Sequence, residues 1–141
     1  MASPAARYQT QTTPQPGNPA RTEAWALLES ARELSRAKTA AVDLFLVALR
    51  RNWRLWTIFQ ASLLDPDCTI PAEIRSNLLG LANFVDKRTA ELLAKPDPGR
   101  IDALININVQ IGEGLLAGSR TVDQQAATRP PEPAGAIRET A

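Results

Sequence analysis

Few residues in this sequence have the types and spacings that support catalysis. The chain has no histidine, which removes the commonest general base and the commonest metal ligand. Its single cysteine, Cys68, can form neither an internal disulfide nor a thiolate metal cage. Asp65 and Asp67 flank a proline and fit a turn better than acid–base chemistry, and no glycine-rich phosphate loop is present. We therefore predict no enzyme activity, no cofactor and no metal site.

The stretch "RRNWRLWTIF", residues 50–59, places two tryptophans three residues apart among three arginines. It fits a core helix with a charged back, a surface that stacks nucleic-acid bases, or a patch that binds another protein. Base stacking needs the aromatic rings beside the basic groups on one exposed face. At about 100° per residue, Trp53 and Trp56 instead point away from Arg50, Arg51 and Arg54. We expect core tryptophans and regard direct nucleic-acid binding as the weaker alternative.

Composition divides the chain into three parts. Residues 1–19 and 119–141 are rich in proline and poor in apolar periodicity, so we predict disordered tails there and one folded domain at residues 20–118. That domain holds twelve basic and twelve acidic residues, which argues mildly against a polyphosphate partner. No apolar run approaches the roughly 20 residues of a membrane span, and no secretory signal is evident. We expect a soluble, cytoplasmic protein that does not enter a membrane.

Proline, aspartate and apolar spacing mark four helices and no strand, which predicts an all-α fold, a small bundle of about four helices. The predicted core combines residues that share a face on each helix. The predicted helices run from Pro19 to Lys38, from Thr39 to about Leu64, from Pro71 to about Lys95, and from Pro98 to near Gly118. The predicted core residues are Leu49, Trp53, Trp56, Leu78, Leu81, Val85, Ile101, Leu104 and Ile105.

The second predicted helix has more apolar circumference than one core face requires. Val42, Phe45, Leu46 and Leu63 fall with the tryptophans, yet a second apolar stripe lies on the side of the arginines. Either other helices cover both sides, or the second stripe binds a partner helix in a groove. We assign partner binding to that side and to one residue of the fourth helix: Leu44, Val47, Arg51, Arg54, Leu55, Ile58 and Ile107.

The fourth predicted helix carries Asn108 inside its apolar stripe, with Gly112 and Gly114 nearby. A buried amide has to find hydrogen-bond partners. Asn108 is either satisfied within the core or held for the backbone of a partner.

Three stretches, "RRNWRLWTIF", "IPAEIRSNLLGLANFV" and "LININVQIGEGL", occur in an order and spacing that resemble the FlaF family of bacterial flagellar biosynthesis regulators. The likeness covers about residues 20–117, and both tails look like extensions of it. Its most specific element is the N-x-R-L-W pattern at Asn52, Arg54, Leu55 and Trp56. Phe84 stands where the family commonly has tryptophan, and Asn106 and Val109 replace the aspartate and arginine of its D-I-N-R pattern.

Membership would imply a cytoplasmic protein that binds flagellin as a secretion chaperone and promotes flagellin synthesis and export. A second regulator, FlbT, which restrains flagellin translation and is opposed by FlaF-family proteins, is then a further expected partner. The alternative is a post-transcriptional regulator that acts on flagellin mRNA or on the FlbT complex. An exposed apolar stripe is consistent with the first function, because capturing a helix of unassembled flagellin would require such a surface.

Overall fold

The computed structural model describes residues 19–128 of the chain, and the side chains of residues 21–119. Four helices follow one another: α1 at Pro19–Ala37, α2 at Val42–Leu64, α3 at Ala72–Ala94 and α4 at Asp102–Thr128, with a short 3-10 helix at Pro98–Ile101 before α4. No strand occurs in this described range, and the predicted all-α bundle is confirmed. The predicted disorder of residues 1–18 and 129–141 falls outside it.

Most helices begin or end at the proline and aspartate residues that predicted their boundaries. Pro71 immediately precedes α3, and its carbonyl accepts a hydrogen bond from the Arg75 amide. The Asp97 carboxylate accepts a hydrogen bond of 3.2 Å from the Gly99 amide, so Asp97 caps the 3-10 helix that Pro98 opens. These two local signals determine where α3 and the 3-10 helix before α4 begin.

Two boundaries differ from the prediction. α2 begins at Val42 rather than Thr39, because residues 38–41 form the turn out of α1. α4 continues through Gly118 to Thr128, although we expected it to end near Gly118. A glycine inside a helix costs about 1 kcal/mol but does not stop it, and the next proline comes only at residue 130. Residues 119–128 are therefore helical and do not belong to a disordered tail.

α1 and α4 form the most extensive helix pair and run antiparallel. Lys38, just after α1, forms a 2.7 Å ion pair with Asp102 at the start of α4. Farther along, Gly112 lies against α1 so closely that an added Cβ would be 2.8 Å from the Leu28 side chain. A glycine is required here because the helix backbones approach each other directly.

α2 packs against α1 on one side and against α3 on the other, so it occupies a central position in the bundle. Its inner face carries the largest buried side chains, among them Phe45, Trp56 and Phe59. The Trp56 and Phe59 rings meet edge to face with centroids 5.5 Å apart. This inner face is the centre of the core.

Most residues predicted for the core are inaccessible to solvent. Leu81 and Ile105 are only partly buried, but both pack against the core. Trp53 is the exception, because it is half-buried at the edge of α2 and its indole N–H donates a 2.8 Å hydrogen bond to Asp86 of α3. Its role is to join α2 to α3 rather than to fill the interior. The buried members of the predicted set are Leu49, Trp56, Leu78, Val85, Ile101 and Leu104.

Two residues that share helical stripes with the core are exposed instead. Val42 is 57% exposed and Ile74 is 48% exposed. Each lies in the first turn of its helix. Periodicity assigns a residue to a helix face, but it does not show how much of that face the neighbouring helices bury.

Candidate partner-binding surface

The side of α2 opposite the core carries exposed apolar residues. Leu44 is 58% exposed, Val47 39% and Ile58 59%, and all three share one face at helical spacing. Together with the arginines at 50, 51 and 54 they form what we call the outer face of α2. Part of this face is concave, with a volume of about 430 Å³. The outer face therefore leaves an apolar strip open to solvent in the described structure.

Arginines line the same strip. Arg51 forms a 3.2 Å ion pair with Glu33 of α1, which covers one edge of the outer face. Arg50 and Arg54 have no ion-pair or hydrogen-bond partner among the described residues. Asp43 lies at the start of the helix, one turn before Val47. The edge away from α1 is thus positively charged beside exposed apolar side chains.

Two residues assigned to this surface from the sequence lie elsewhere or are partly covered. Leu55 is half-buried and packs against the core, so it forms the edge of the strip rather than its centre. Ile107 belongs to α4, which reaches α2 on its inner side, and it also packs against the core. The structure therefore does not bring Ile107 together with Leu44, Val47 and Ile58.

A buried polar network crosses the interior on the other side of α2. The Trp56 indole N–H donates a 2.8 Å hydrogen bond to the Asn108 side-chain oxygen. The Asn108 amide donates in turn to the Asn52 oxygen at 2.7 Å, and the Ser30 hydroxyl donates to that same oxygen at 2.9 Å. Asn108 is thus satisfied within the core, and the network joins α1, α2 and α4.

This network explains half of the N-x-R-L-W pattern. Asn52 and Trp56 lie one turn apart and hold Asn108 from the same side, whereas Arg54 is exposed on the outer face. The Nδ2 group of Asn52 is buried without a hydrogen-bond partner in the described structure. The pattern therefore combines interior positions that fix the helices with an outward arginine that the fold itself does not use.

One carboxyl group at the contact of α1 with α2 titrates abnormally. Burial raises the pKa of Glu23 above its ordinary value, and a hydrogen bond from the Ser62 hydroxyl offsets part of that rise. A raised carboxyl pKa means that the folded state holds the proton more tightly than the unfolded state does. Glu23 therefore lowers stability as pH rises from the ordinary carboxyl pKa of 4.5 through the raised pKa of the folded state.

A second concave surface, which the sequence did not reveal, lies between α3 and α4. We call it the α3–α4 groove. It has a volume of about 550 Å³ and no charged residue among those that line it. Gly114, one of the two glycines near Asn108 in the sequence, lies on its wall. The main lining residues are Ile70, Ile74 and Leu78 on one side and Ile111, Gly114, Leu115 and Gly118 on the other.

Residues capable of chemistry remain scattered in the described structure. No group of three or more metal-ligating side chains occurs among the described residues. The Asp65 carboxylate accepts a 2.8 Å hydrogen bond from the Asp67 amide, which agrees with the predicted turn. Cys68 is a half-buried free thiol in the same loop. Within residues 19–128, no helix has the length and apolarity needed to cross a bilayer.

Comparison with known proteins identifies the family. The model described as Flagellar protein FlaF matches residues 4–115, well over half of the chain. The chain belongs to the FlaF family. The match begins sixteen residues before the start that we predicted at residue 20, so most of the N-terminal segment is part of the family pattern and is not an extension. No curated protein and no solved structure matches the chain.

Membership in the FlaF family makes this a flagellar protein. The positions where it departs from the expected pattern lie outside the buried network. Phe84 is 36% exposed, and the Arg88 guanidinium lies 5.0 Å from the centre of its ring. Asn106 is exposed and Val109 is half-buried. These departures leave the contacts among Asn52, Trp56 and Asn108 intact.

Proposed function

We propose that this FlaF-family protein binds flagellin in the cytoplasm before assembly, as a secretion chaperone, and holds an amphipathic helix of it along the outer face of α2. The observation that carries the proposal is the exposure of Leu44, Val47 and Ile58 on one face of a central helix. Folding does not need apolar side chains there, because the described helices leave them in water. A partner helix gains free energy by covering them.

The length of the strip defines the size of the partner segment. Leu44 and Ile58 are fourteen positions apart, which corresponds to about 21 Å along the helix axis at 1.5 Å per residue. A partner helix of about four turns would cover this distance with side chains at i, i+3, i+4 and i+7. Full burial of one such side chain is worth about 1.5–3 kcal/mol, and roughly half of that is still available at Leu44 and Ile58.

Charge defines the flank of that partner helix. Arg50 and Arg54 have no partner among the described residues and lie one turn apart beside the strip. Carboxylates along one edge of the bound helix would meet them. Charges at the rim of an interface mainly raise the association rate and suppress wrong partners. The favoured client segment is an amphipathic helix with an acidic edge.

A pull-down with flagellin tests the proposal. Wild-type protein is expected to retain flagellin, and a Leu44→Asp Ile58→Asp variant is expected to lose it while remaining folded by circular dichroism. Val42→Asp is the matched control, because Val42 is 57% exposed but lies on the other side of α2. Failure of the wild-type protein to bind flagellin, or full binding by the double variant, refutes the assignment.

The alternative function is regulation of flagellin translation, by contact with flagellin mRNA or with FlbT. The three arginines support it, but the half-buried Trp53 and the buried Trp56 are not on the arginine face, so aromatic stacking beside the basic groups is absent there. Binding of the flagellin leader RNA that falls steeply with salt, and that fails in Arg50→Glu Arg54→Glu, would favour this function instead. Co-purification of FlbT tests it as a protein partner.

A further inference from the structure

The α3–α4 groove lies next to the point where the described chain begins. α1 and α4 run antiparallel, and Gly112 of α4 lies against Ala24 of α1. Five residues before Ala24, α1 begins at Pro19, so Pro19 lies beside the turn of α4 that contains Ser119. Ser119 is one of the residues that line the groove. Residues 1–18 are therefore joined to the bundle beside the groove.

The loop between α2 and α3 lies at the same end of the bundle. The Ser62 hydroxyl, near the end of α2, donates a hydrogen bond to Glu23 in the second turn of α1. The loop that follows α2 leads to Thr69, which lines the groove. The groove therefore opens next to Pro19 and extends from there about 14 Å along α4, as far as Gln110.

The groove is open and apolar in the described structure. α3 and α4 have few direct contacts, and about 550 Å³ of space lies between them. An added Cβ at Gly114 or Gly118 would meet no described atom within 4 Å. A glycine inside a helix is less favourable than alanine by about 1 kcal/mol, and no packing contact among the described residues accounts for these two. They leave the α4 backbone accessible to a segment that lies in the groove.

The composition of residues 1–18 suits an uncharged groove. No charged residue lines the groove, residues 8–18 contain no charged side chain, and Arg7 is the one charged side chain before them. Such a segment cannot form a core of its own, but the groove supplies the apolar surface that it lacks. Each proline fixes φ and removes a backbone N–H, so ordering the segment against an apolar wall costs less. The prolines are Pro4, Pro14 and Pro16.

Tyr8 can reach every part of the groove. It precedes Pro19 by eleven residues, which span at most about 36 Å when extended. The far end of the groove is one interhelical spacing of about 10 Å to the side and about 14 Å along α4. The Tyr8 ring offers a large apolar surface with a polar hydroxyl, and Thr69 and Gln110 place hydrogen-bonding groups in the groove lining.

The extent of the family match joins this segment to the bundle. The match begins at residue 4, fifteen residues before α1, and continues through the helices to residue 115. We infer that residues 4–18 lie in the α3–α4 groove of the same molecule and cover its apolar lining. The inference goes beyond the proposed function and does not depend on it.

The segment after α4 is a poorer occupant. Residues 129–141 carry four charged side chains, each of which would lose hydration in an uncharged groove. They also follow Thr128, about 15 Å beyond Gly118 along α4, so they would have to reverse direction to return to the groove. The four charged residues are Arg129, Glu132, Arg138 and Glu139.

A second copy of the chain competes at a disadvantage. A segment that is joined to the bundle beside the groove is present there at an effective concentration in the millimolar range. A free molecule would have to exceed that concentration with an apolar surface of its own. The exposed apolar side chains of α2 lie beside arginines, which would lose hydration in the groove without gaining a partner.

Photo-crosslinking in the full-length protein tests the inference. A benzophenone amino acid in place of Tyr8 should form crosslinks within one molecule to peptides that contain Ile74 or Leu115, as identified by mass spectrometry. Gly118→Leu fills the groove and should reduce these crosslinks by at least about tenfold. Gly80 is the matched control: it lies in α3, is exposed and has open space for a Cβ, so Gly80→Leu should leave the crosslinks unchanged.

Thermal unfolding of the full-length protein gives a second measurement. Tyr8→Ala should lower the melting temperature by about 4 °C, because the groove loses the ring that covers it. The same substitution should have no effect in a Gly118→Leu background, where the leucine already occupies the groove. This dependence of one residue on the other is expected only if Tyr8 and Gly118 share a site.

Three outcomes would overturn the inference. Crosslinks that avoid the groove peptides, or that persist in Gly118→Leu, would place the segment elsewhere. Crosslinks between labelled and unlabelled molecules in an isotopic mixture would assign the groove to a second copy. An unchanged melting temperature in Tyr8→Ala would show that the ring covers nothing. No flagellin enters these measurements, so their failure is distinct from failure of flagellin binding at the outer face of α2.

Discussion

The inner and outer faces of α2 each contain an exception to the usual distribution of polar and apolar side chains. On the inner face, Asn52 is fully buried in a hydrogen-bonded network with Trp56 and Asn108. On the outer face, Leu44 and Ile58 are more than half exposed. A helix selected only for stability would favour apolar packing inside and polar side chains outside. The contrast separates residues that specify the arrangement of helices from residues that are available to a partner.

The buried network favours one arrangement of the helices. Asn108 can satisfy its amide only if α2 and α4 keep the register that brings it to Asn52 and Trp56. No comparable constraint acts on the outer face, because its apolar side chains make few contacts that depend on a particular register. Substitutions on the two faces should therefore act on different properties, stability on one and binding on the other.

The largest expected effect is on the inner face. Trp56→Ala should lower the free energy of unfolding by about 3–5 kcal/mol, because it removes a buried ring and leaves the Asn108 side-chain oxygen without its donor. Trp53→Ala should cost only about 1–2 kcal/mol, since Trp53 is half-buried and loses one hydrogen bond to Asp86. Urea denaturation measures both. Equal costs for the two variants would remove the distinction between a core tryptophan and an edge tryptophan.

An intermediate effect is expected at the centre of the network. Asn108→Ala should destabilise the protein by about 1–3 kcal/mol, because it leaves the buried Trp56 indole N–H without an acceptor. Asn106→Ala, two residues earlier on the exposed side of α4, serves as the control and should change stability by less than about 0.5 kcal/mol. A neutral Asn108→Ala variant would mean that the network does not contribute to stability.

Much of the architecture could be predicted from the sequence, because it depends on local signals. Pro71 and the Asp97-Pro98 pair mark helix starts through backbone geometry alone, and Asn108 stands out as an amide within an apolar stripe. Gly118 was misread as a helix end. A glycine acts as a stop when it adopts the left-handed conformation after the last turn, and it does not do so inside a continuing helix.

The parts that could not be predicted depend on how helices lie relative to one another. The burial of Asn52 follows from its position opposite Asn108 on another helix, and a polar residue has no periodic signal of its own. The α3–α4 groove exists because two helices separate, which no single stretch encodes. The candidate surface was located in part, since periodicity gives a face but not its neighbours. For this reason Ile107 was assigned to it although it packs against the core, and Leu55 lies at its edge rather than at its centre.

The smallest expected change in stability accompanies the most direct test of the outer face. Ile58→Asp should alter the free energy of unfolding by less than about 0.5 kcal/mol, because the side chain is already 59% exposed. Calorimetric titration with flagellin should show at least a tenfold or so loss of affinity for the same variant. Unchanged affinity in a variant of unchanged stability would contradict the claim that the outer face of α2 is the partner-binding surface.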